Sequence, residues 1–337
     1  MRTKKLNNSE ITAVGFLIFP GFPMSCLTSI IEPLRAANEI AERETFSWQL
    51  ISETGSKVTS SAGVIFEPDV ALSAKLDPAM IFLLSGPLSE FEAPRASNSV
   101  LRKLERTGAV LGGISGGVFP LVKSGVMEGY KCSVHWCYEA AFKSEFPEML
   151  ASGEVIVTDR RRYTASGAAA AFDLALQLIE ERLGPDIALE VACWFQHPMM
   201  RGEGVEQRVP LKPSTDPALP DLVGRAVEMF VERLDEPRSV GDIAKALGVT
   251  PRQVERAFKK ATGQSPSHYF RALRMNAARQ LVLYSKDSMA QVAAAVGFST
   301  TTPFVNHYRD AFGVTPKQDR GRINAFRVQG NMPLPST

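Results

Sequence analysis

Two residue patterns in this chain could do chemistry. The first is Gly113-Ile114-Ser115-Gly116-Gly117, which follows the apolar run Val110-Leu111. A serine bounded by glycines between a strand and a helix has the layout of a nucleophile elbow, a sharp turn that exposes the central side chain at the helix N-terminus. His135 follows twenty residues later, in Ser133-Val134-His135-Trp136. A serine hydroxyl is hardly ionised at neutral pH and attacks a carbonyl only beside a well-placed base. Ser115 and His135 are therefore the candidate nucleophile and base of a hydrolase. Two plainer roles stand beside that one: Ser115 as a small helix cap, and His135 as a buried, hydrogen-bonded imidazole.

The second pattern suits a polyanion. Ser239 can cap a short helix whose Ile243, Ala244 and Leu247 share one face, and Gly248 supplies a tight turn. Thr250 then caps a second helix with Pro251 at its first position. That helix places Val254, Ala257 and Phe258 on one side and Arg252, Gln253, Glu255, Arg256, Lys259 and Lys260 on the other. An apolar anchor behind a basic face is what entry into a DNA major groove requires. About fifty residues on the unit recurs: a helix over 288–296, the turn Gly297-Phe298, and a second candidate reading helix over 299–309. Both copies close alike, on Phe258…Gly263-Gln264-Ser265-Pro266 and on Phe312-Gly313-Val314-Thr315-Pro316. Between them, 269–284 has apolar residues at helical spacing and reads as a rigid connecting helix.

These sites need elements to position them. Short apolar runs at 11–19, 48–52, 81–85, 110–114 and 155–158 read as strands, and 25–42, 100–106, 136–146 and 168–183 read as helices. Near-continuous apolar strands alternating with helices predict an α/β sandwich with a largely parallel sheet. Prolines 210, 213, 217 and 220 lie among polar residues and resist regular structure. The expected organisation is an α/β domain over 10–200, a linker over 201–220, a helical domain over 221–320 and a tail over 321–337. From 221 to 327 there are 17 Lys+Arg against 10 Asp+Glu, while the whole chain carries only +2, so a basic module is joined to an acidic remainder. No run approaches the ~20 apolar residues of a membrane span. The four cysteines lack paired zinc spacing, read as reduced thiols, and predict a cytoplasmic protein without a metal. Cys26 and Cys193 are expected to pack in the interior.

The region 222–316 resembles the DNA-binding domain of the AraC/XylS regulators. The motif Ala293…Gly297-Phe298-Ser299…Phe304…Tyr308-Arg309…Phe312-Gly313-Val314-Thr315-Pro316 is particularly specific. The resemblance implies that the two reading helices enter successive major grooves. Its base-facing positions fall on Arg252, Glu255 and Arg256, then on Thr301, Thr302 and Asn306. Gln253 shares the exposed face, and Ser299, Thr300, Lys259 and Arg309 are placed for phosphates. The region 11–195 resembles the DJ-1/PfpI-like class I glutamine amidotransferase superfamily, especially copies fused to AraC-type domains. This likeness rests on the elbow, on His135, on Ile31-Glu32-Pro33-Leu34-Arg35-Ala36-Ala37-Asn38 and on Ser166-Gly167…Ala171-Phe172-Asp173. Together these imply a three-layer, flavodoxin-like α/β sandwich followed by an all-α domain with two helix-turn-helix units.

The departures from that superfamily decide the expected function. Ser115 stands where the elbow cysteine would be, Cys26 where a carboxylate would be, and no glutamate follows His135 in the His-x-Glu arrangement. Ser115 and His135 are thus expected to be vestigial. The sheet edge becomes an effector pocket lined by Phe22, Cys26, Ser85, Gly86, Ser115, His135 and Trp136, in line with ligand binding outside the carboxyl ends of strands. Trp136, Phe22 and Phe119 are candidates to hold a quaternary ammonium by cation–π attraction. The expected partners are promoter DNA, a small-molecule effector, a second copy through the first domain and, for an activator, RNA polymerase; no cofactor is expected. Related fused regulators respond to small nitrogen compounds, which implies an activator of a catabolic operon for an amino acid, betaine or carnitine-like molecule. Two alternatives remain: an amidase or deglycase-like hydrolase tethered to DNA, and a constitutive DNA-binding protein whose α/β domain only dimerises.

Overall fold

The computed structural model describes residues 11–197, 201–202, 204–207 and 220–325. The basic N-terminus, most of the expected linker and most of the expected tail lie outside them. The chain divides after Gln207 into two compact units.

The first unit is built on the strands β1 (Thr12–Ile18), β2 (Phe46–Ser52), β3 (Val58–Thr59), β4 (Ile65–Phe66), β5 (Val70–Ala71), β6 (Met80–Ser85), β7 (Val110–Ser115), β8 (Lys131–Ser133), β9 (Leu150–Ser152), β10 (Ile156–Asp159) and β11 (Arg162–Ala165). Seven of them form one sheet in the order β10-β11-β7-β6-β1-β2-β5. All neighbours are parallel except the β10–β11 hairpin. The helices are α1 (Met24–Ile40), α2 (Pro94–Thr107), α3 (Val118–Lys123), α4 (Glu139–Glu145), α5 (Ala168–Leu183) and α6 (Pro185–Trp194). Every residue of β6 is buried, which is why it reads as an unbroken apolar run. The crossover β1–α1–β2 steps one way along the sheet and β6–α2–β7 the other, so right-handed connections put α1 and α2 on opposite faces. The α1 face carries α5 and α6 and one continuous core that includes Phe16, Phe82, Ile114 and Leu174. The strand order reverses between β1 and β6, a switch point whose carboxyl edge is the usual ligand side of such sheets.

The second unit is helical: α7 (Asp221–Val231), α8 (Val240–Ala246), α9 (Pro251–Thr262), α10 (Pro266–Tyr284), α11 (Met289–Ala295), α12 (Thr301–Phe312) and α13 (Pro316–Ala325). Val223, Phe230, Ile243, Val254, Phe258 and Phe270 form the core of its first half, where the Phe230 and Phe270 rings stack at 4.0 Å.

Some details depart from the expectations. The helix expected over 136–146 opens as a single 3-10 turn, Trp136–Tyr138, before α4. Arg160 and Arg161 alone turn the β10–β11 hairpin, because Asp159 and Arg162 pair in it. Arg162 is fully buried: its Nε donates to the Val126 carbonyl at 2.8 Å, its guanidinium pairs with Glu105, and Tyr130 lies 4.4 Å beneath it. Cys193 is exposed on α6, where Ala188, Val191 and Ala192 take the inward positions.

Candidate functional site

The elbow is present. Ser115 ends β7 with φ +56°, a left-handed conformation that non-glycine residues rarely adopt. The turn is tight against β6: a Cβ on Gly117 would collide with the Leu83 carbonyl, and one on Gly116 would lie 2.5 Å from that of Ser85. Only glycine fits at either place. No side chain caps α3, so Ser115 is not a helix cap. It is 5% exposed and stands directly across the β6–β7 register from Ser85.

His135 does not complete a catalytic pair. The imidazole is buried, its Nδ1 lies 2.8 Å from Cys137 Sγ, and the same nitrogen accepts the Cys137 backbone N–H at 3.3 Å. Burial pushes the Cys137 thiol well above its usual range, so the sulfur stays protonated and donates. With Nδ1 accepting, the ring proton belongs on Nε2, which then has no lone pair for a serine proton. Burial pushes the His135 pKa down to about 4, and among the described residues no carboxylate partners the ring to oppose that shift. Among the described residues no hydrogen bond joins Ser115 to His135. The geometry keeps the elbow and disarms its base.

The other expected effector residues divide into groups. Ser85, Gly86, Ser115 and Gly116 meet at the carboxyl ends of β6 and β7, where Ser85 Oγ donates to the Gly86 carbonyl at 2.9 Å. His135 stands beside Gly167 at the N-terminus of α5, with the Trp136 ring 5.7 Å away. Phe22 and Cys26 are buried in the α1-face core, Phe22 edge-on to Phe66, and burial pushes the Cys26 thiol up to about 12. Phe119 packs in a different cluster, against Tyr138, Phe142 and Phe146, so Phe22 and Phe119 do not share a cage. Two shallow surface cavities open elsewhere, one over Leu27, Ile31, Trp48 and Phe66, the other over Glu53, Leu72 and Ala96. Among the described residues no His, Cys, Asp and Glu group could hold a metal ion.

Two long-range contacts carry no local signal in the sequence. Of the expected linker, Arg201, Gly204 and Gln207 bond to residues of the first unit. Asp173 of α5 is buried and accepts from His197 Nε2 at 2.7 Å and from Arg201 Nε at 2.8 Å. Gln207, itself 5% exposed, donates from Nε2 to the Val134 carbonyl and accepts the Trp136 N–H on Oε1, both at 2.8 Å. Its carboxamide thus brackets the backbone on either side of His135 at the point where the chain leaves this unit.

The second unit presents the two reading helices. A capping box closes the start of α9: Thr250 Oγ1 accepts the Gln253 N–H, and Gln253 Oε1 accepts the Thr250 N–H at 2.8 Å. The Gln253 carbonyl is therefore engaged, leaving its NH2 group outward. Val254 and Phe258 are buried, while Arg252, Glu255, Arg256, Lys259 and Lys260 are exposed. Lys259 Nζ also donates to the Gly263 carbonyl at 2.9 Å. On α12, Phe304 and Tyr308 are buried, Thr302, Asn306 and Arg309 are exposed, and Thr301 is half-buried. Thr300 is its N-cap residue, with no side-chain cap bond, and Arg309 donates to Asn306 Oδ1 at 3.3 Å. The 19 residues of α10 join the two halves. At 1.5 Å per residue that helix is about 28 Å long, commensurate with the roughly 34 Å between successive major grooves on one face of DNA.

A sandwich carrying the elbow, followed by two helix-turn-helix units on one connecting helix, defines a DNA-binding regulator. Comparison with known proteins agrees. The DJ-1/PfpI family model matches residues 14–181, and a helix-turn-helix domain model matches residues 243–322. The HTH-type transcriptional regulator GbdR of Pseudomonas aeruginosa is 33% identical over 97% of this chain and 89% of its own. The HTH-type transcriptional regulator GlxA of Rhizobium meliloti is 29% identical over 94% of this chain and 98% of its own. A solved AraC family transcriptional regulator from Pseudomonas putida shares the fold of the first unit, with a TM-score of 0.50 and 24% identity over 54% of this chain and 98% of that one. The chain belongs to the helix-turn-helix transcriptional regulators that pair a DJ-1/PfpI-like domain with an AraC-type DNA-binding domain.

Proposed function

We propose that this regulator is an effector-responsive activator of a catabolic operon for a small nitrogen compound of amino acid, betaine or carnitine type. The observation that carries the reading is the elbow that has kept its strained turn while its histidine is buried against Cys137 and, among the described residues, makes no hydrogen bond to Ser115. A positive φ at a serine costs stability and persists where the site has a use. Here that use is holding a ligand, with the effector in contact with Ser85, Gly86, Ser115, His135 and Trp136. Arg252, Glu255 and Arg256 read bases in one major groove, and Thr301, Thr302 and Asn306 read the next. Arg256 suits a bidentate contact to guanine, Glu255 accepts from cytosine, and Asn306 matches adenine. Lys259, Thr300 and Arg309 hold phosphates, which position without specifying. The first unit also joins two copies, and effector binding changes how the paired readers meet a promoter.

The test is thermal denaturation of the full chain against a panel of amino acids, betaines and carnitine-like amines. A ligand at about a hundred times its Kd should add roughly 2.7 kcal/mol to the unit that binds it. The stabilisation should disappear in Ser115→Trp, which fills the elbow. Turnover of an amide or a glyoxal adduct that is abolished by Ser115→Ala would instead establish the hydrolase.

A further inference from the structure

The two helix-turn-helix turns are built alike but packed differently. Gly248 in the first and Gly297 in the second have φ of +69° and +73°. Nothing lies within 4 Å of where a Cβ on Gly248 would be. A Cβ on Gly297 would lie 2.7 Å from the Leu234 carbonyl oxygen, 2.7 Å from Pro237 Cδ and 3.0 Å from the Asp235 carbonyl oxygen. The loop after α7, part of the first half of the reader, therefore presses directly on the turn of the second half. A helix-turn-helix turn by itself needs only the left-handed backbone, as Gly248 shows. The close approach at Gly297 is an additional contact between the halves.

One side chain holds that contact from its other side. Arg274, half-buried on α10, donates from Nε to the Val296 carbonyl at 2.6 Å and from Nη2 to the Gly297 carbonyl at 2.7 Å. Its guanidinium lies 4.2 Å over the Phe298 ring. These carbonyls lie at the C-terminal end of α11, where helix carbonyls lack intrahelical partners and a cation is favoured. A second anchor holds the rest of this half: Asp319 accepts from Arg279 Nε at 2.9 Å and from the Tyr308 hydroxyl at 2.8 Å, tying α13 and the reading helix α12 to α10. Tyr308 is the eighth residue of α12, and the eighth residue of α9 is Phe258, which packs against Phe270 without a polar bond. The first half is thus seated on α10 by apolar packing, and the second is fastened to it by arginines.

We infer that Arg274 is a positioning residue that locks the second reading helix against the first, so that the two halves of the DNA site are read at one fixed separation. Apolar packing tolerates small rotations, whereas two charge-assisted hydrogen bonds to consecutive carbonyls fix an orientation. The lock concerns spacing and leaves base preference to the outward side chains.

The inference rests on α9 and α12 being the two reading helices, and its test separates the two ideas. The full chain selects duplexes from a random pool, and the selected sequences are scored for each half-site and for the separation between them. Wild type should return a two-part sequence at a single separation of about 10 base pairs. If it returned no two-part sequence, the reading of α9 and α12 would fail and the inference with it. Arg274→Met keeps the stem over Phe298 and removes both donors. It should return the same two half-sites with separations spread over about two base pairs, and bind the wild-type site roughly tenfold more weakly. A single unchanged separation in Arg274→Met would overturn the inference, as would complete loss of the second half-site from a protein that still folds. Gly297→Ala and Gly248→Ala ask the same question by another route, since both introduce left-handed strain and only the first adds a clash. Gly297→Ala should spread the separations and Gly248→Ala should not; equal behaviour of the two would also count against the lock.

Discussion

Replacing Gln207 by leucine should measurably loosen the first unit. The substitution keeps most of the volume and removes every polar contact of the carboxamide. It leaves the Trp136 N–H and the Val134 carbonyl without partners in a region where Val134 is buried. The Glu154 carbonyl, which Gln207 also reaches, keeps the Ser133 hydroxyl at 2.6 Å and is not orphaned. An unpaired buried group costs about 1–3 kcal/mol, so two of them amount to about 2–4 kcal/mol after partial relaxation toward solvent. For a unit of roughly 200 residues each kcal/mol moves the melting temperature by about 2–4 °C, which gives a fall of about 4–16 °C. Calorimetry on the full chain measures the shift, and amide exchange at Trp136 locates it. A transition within about 1 °C of wild type, with unchanged protection at Trp136, would refute the claim that this contact fastens the exit of the chain to the backbone around His135.

Other outcomes follow from the same geometry. His135 has its pKa pushed down to about 4 by burial, so the neutral form is the folded one. Its contribution is complete above the unfolded value near 6.5 and is lost as pH falls toward 4. That loss is about 3 kcal/mol, and His135→Gln should flatten this part of the acid limb in denaturant titrations across pH 4–7. Arg256→Ala should cost about 1–3 kcal/mol in DNA affinity and relax preference at one base position in a binding-site selection; unchanged preference would remove Arg256 from the base readers. Lys259→Ala should weaken all sequences alike and reduce the salt slope of log K by about 0.9, measured by titration at several salt concentrations.

Much of this molecule is legible in local sequence because the responsible interactions are short-range. The caps at Ser239, Thr250 and Ser288 bond to residues three positions on, and the glycine turns are set by their own φ. Both helix-turn-helix units could therefore be found from spacing alone. The elbow is local as well, since a strand, a strained Ser115 and two glycines are contiguous. The departures occur where distant segments meet. Arg162 sits in a polar-looking run, yet it is buried because Glu105, Val126 and Tyr130 come to it from other elements. Phe22 and Phe119, both expected to help hold one ligand, fall into separate cores on a layered sheet.

The sequence by itself determined that the protein reads DNA with a pair of like units and carries a domain built on an enzyme-like plan. Alternation of apolar and polar residues, caps and turns suffice for that, because each acts within a few residues. Tertiary structure alone decided that His135 is a buried neutral imidazole, since desolvation is set by what covers a side chain. It alone attached Gln207 to the backbone around His135 from more than seventy residues away. It also separated Gly248 from Gly297, two glycines with the same φ in the same motif, by pressing a distant loop against only one of them.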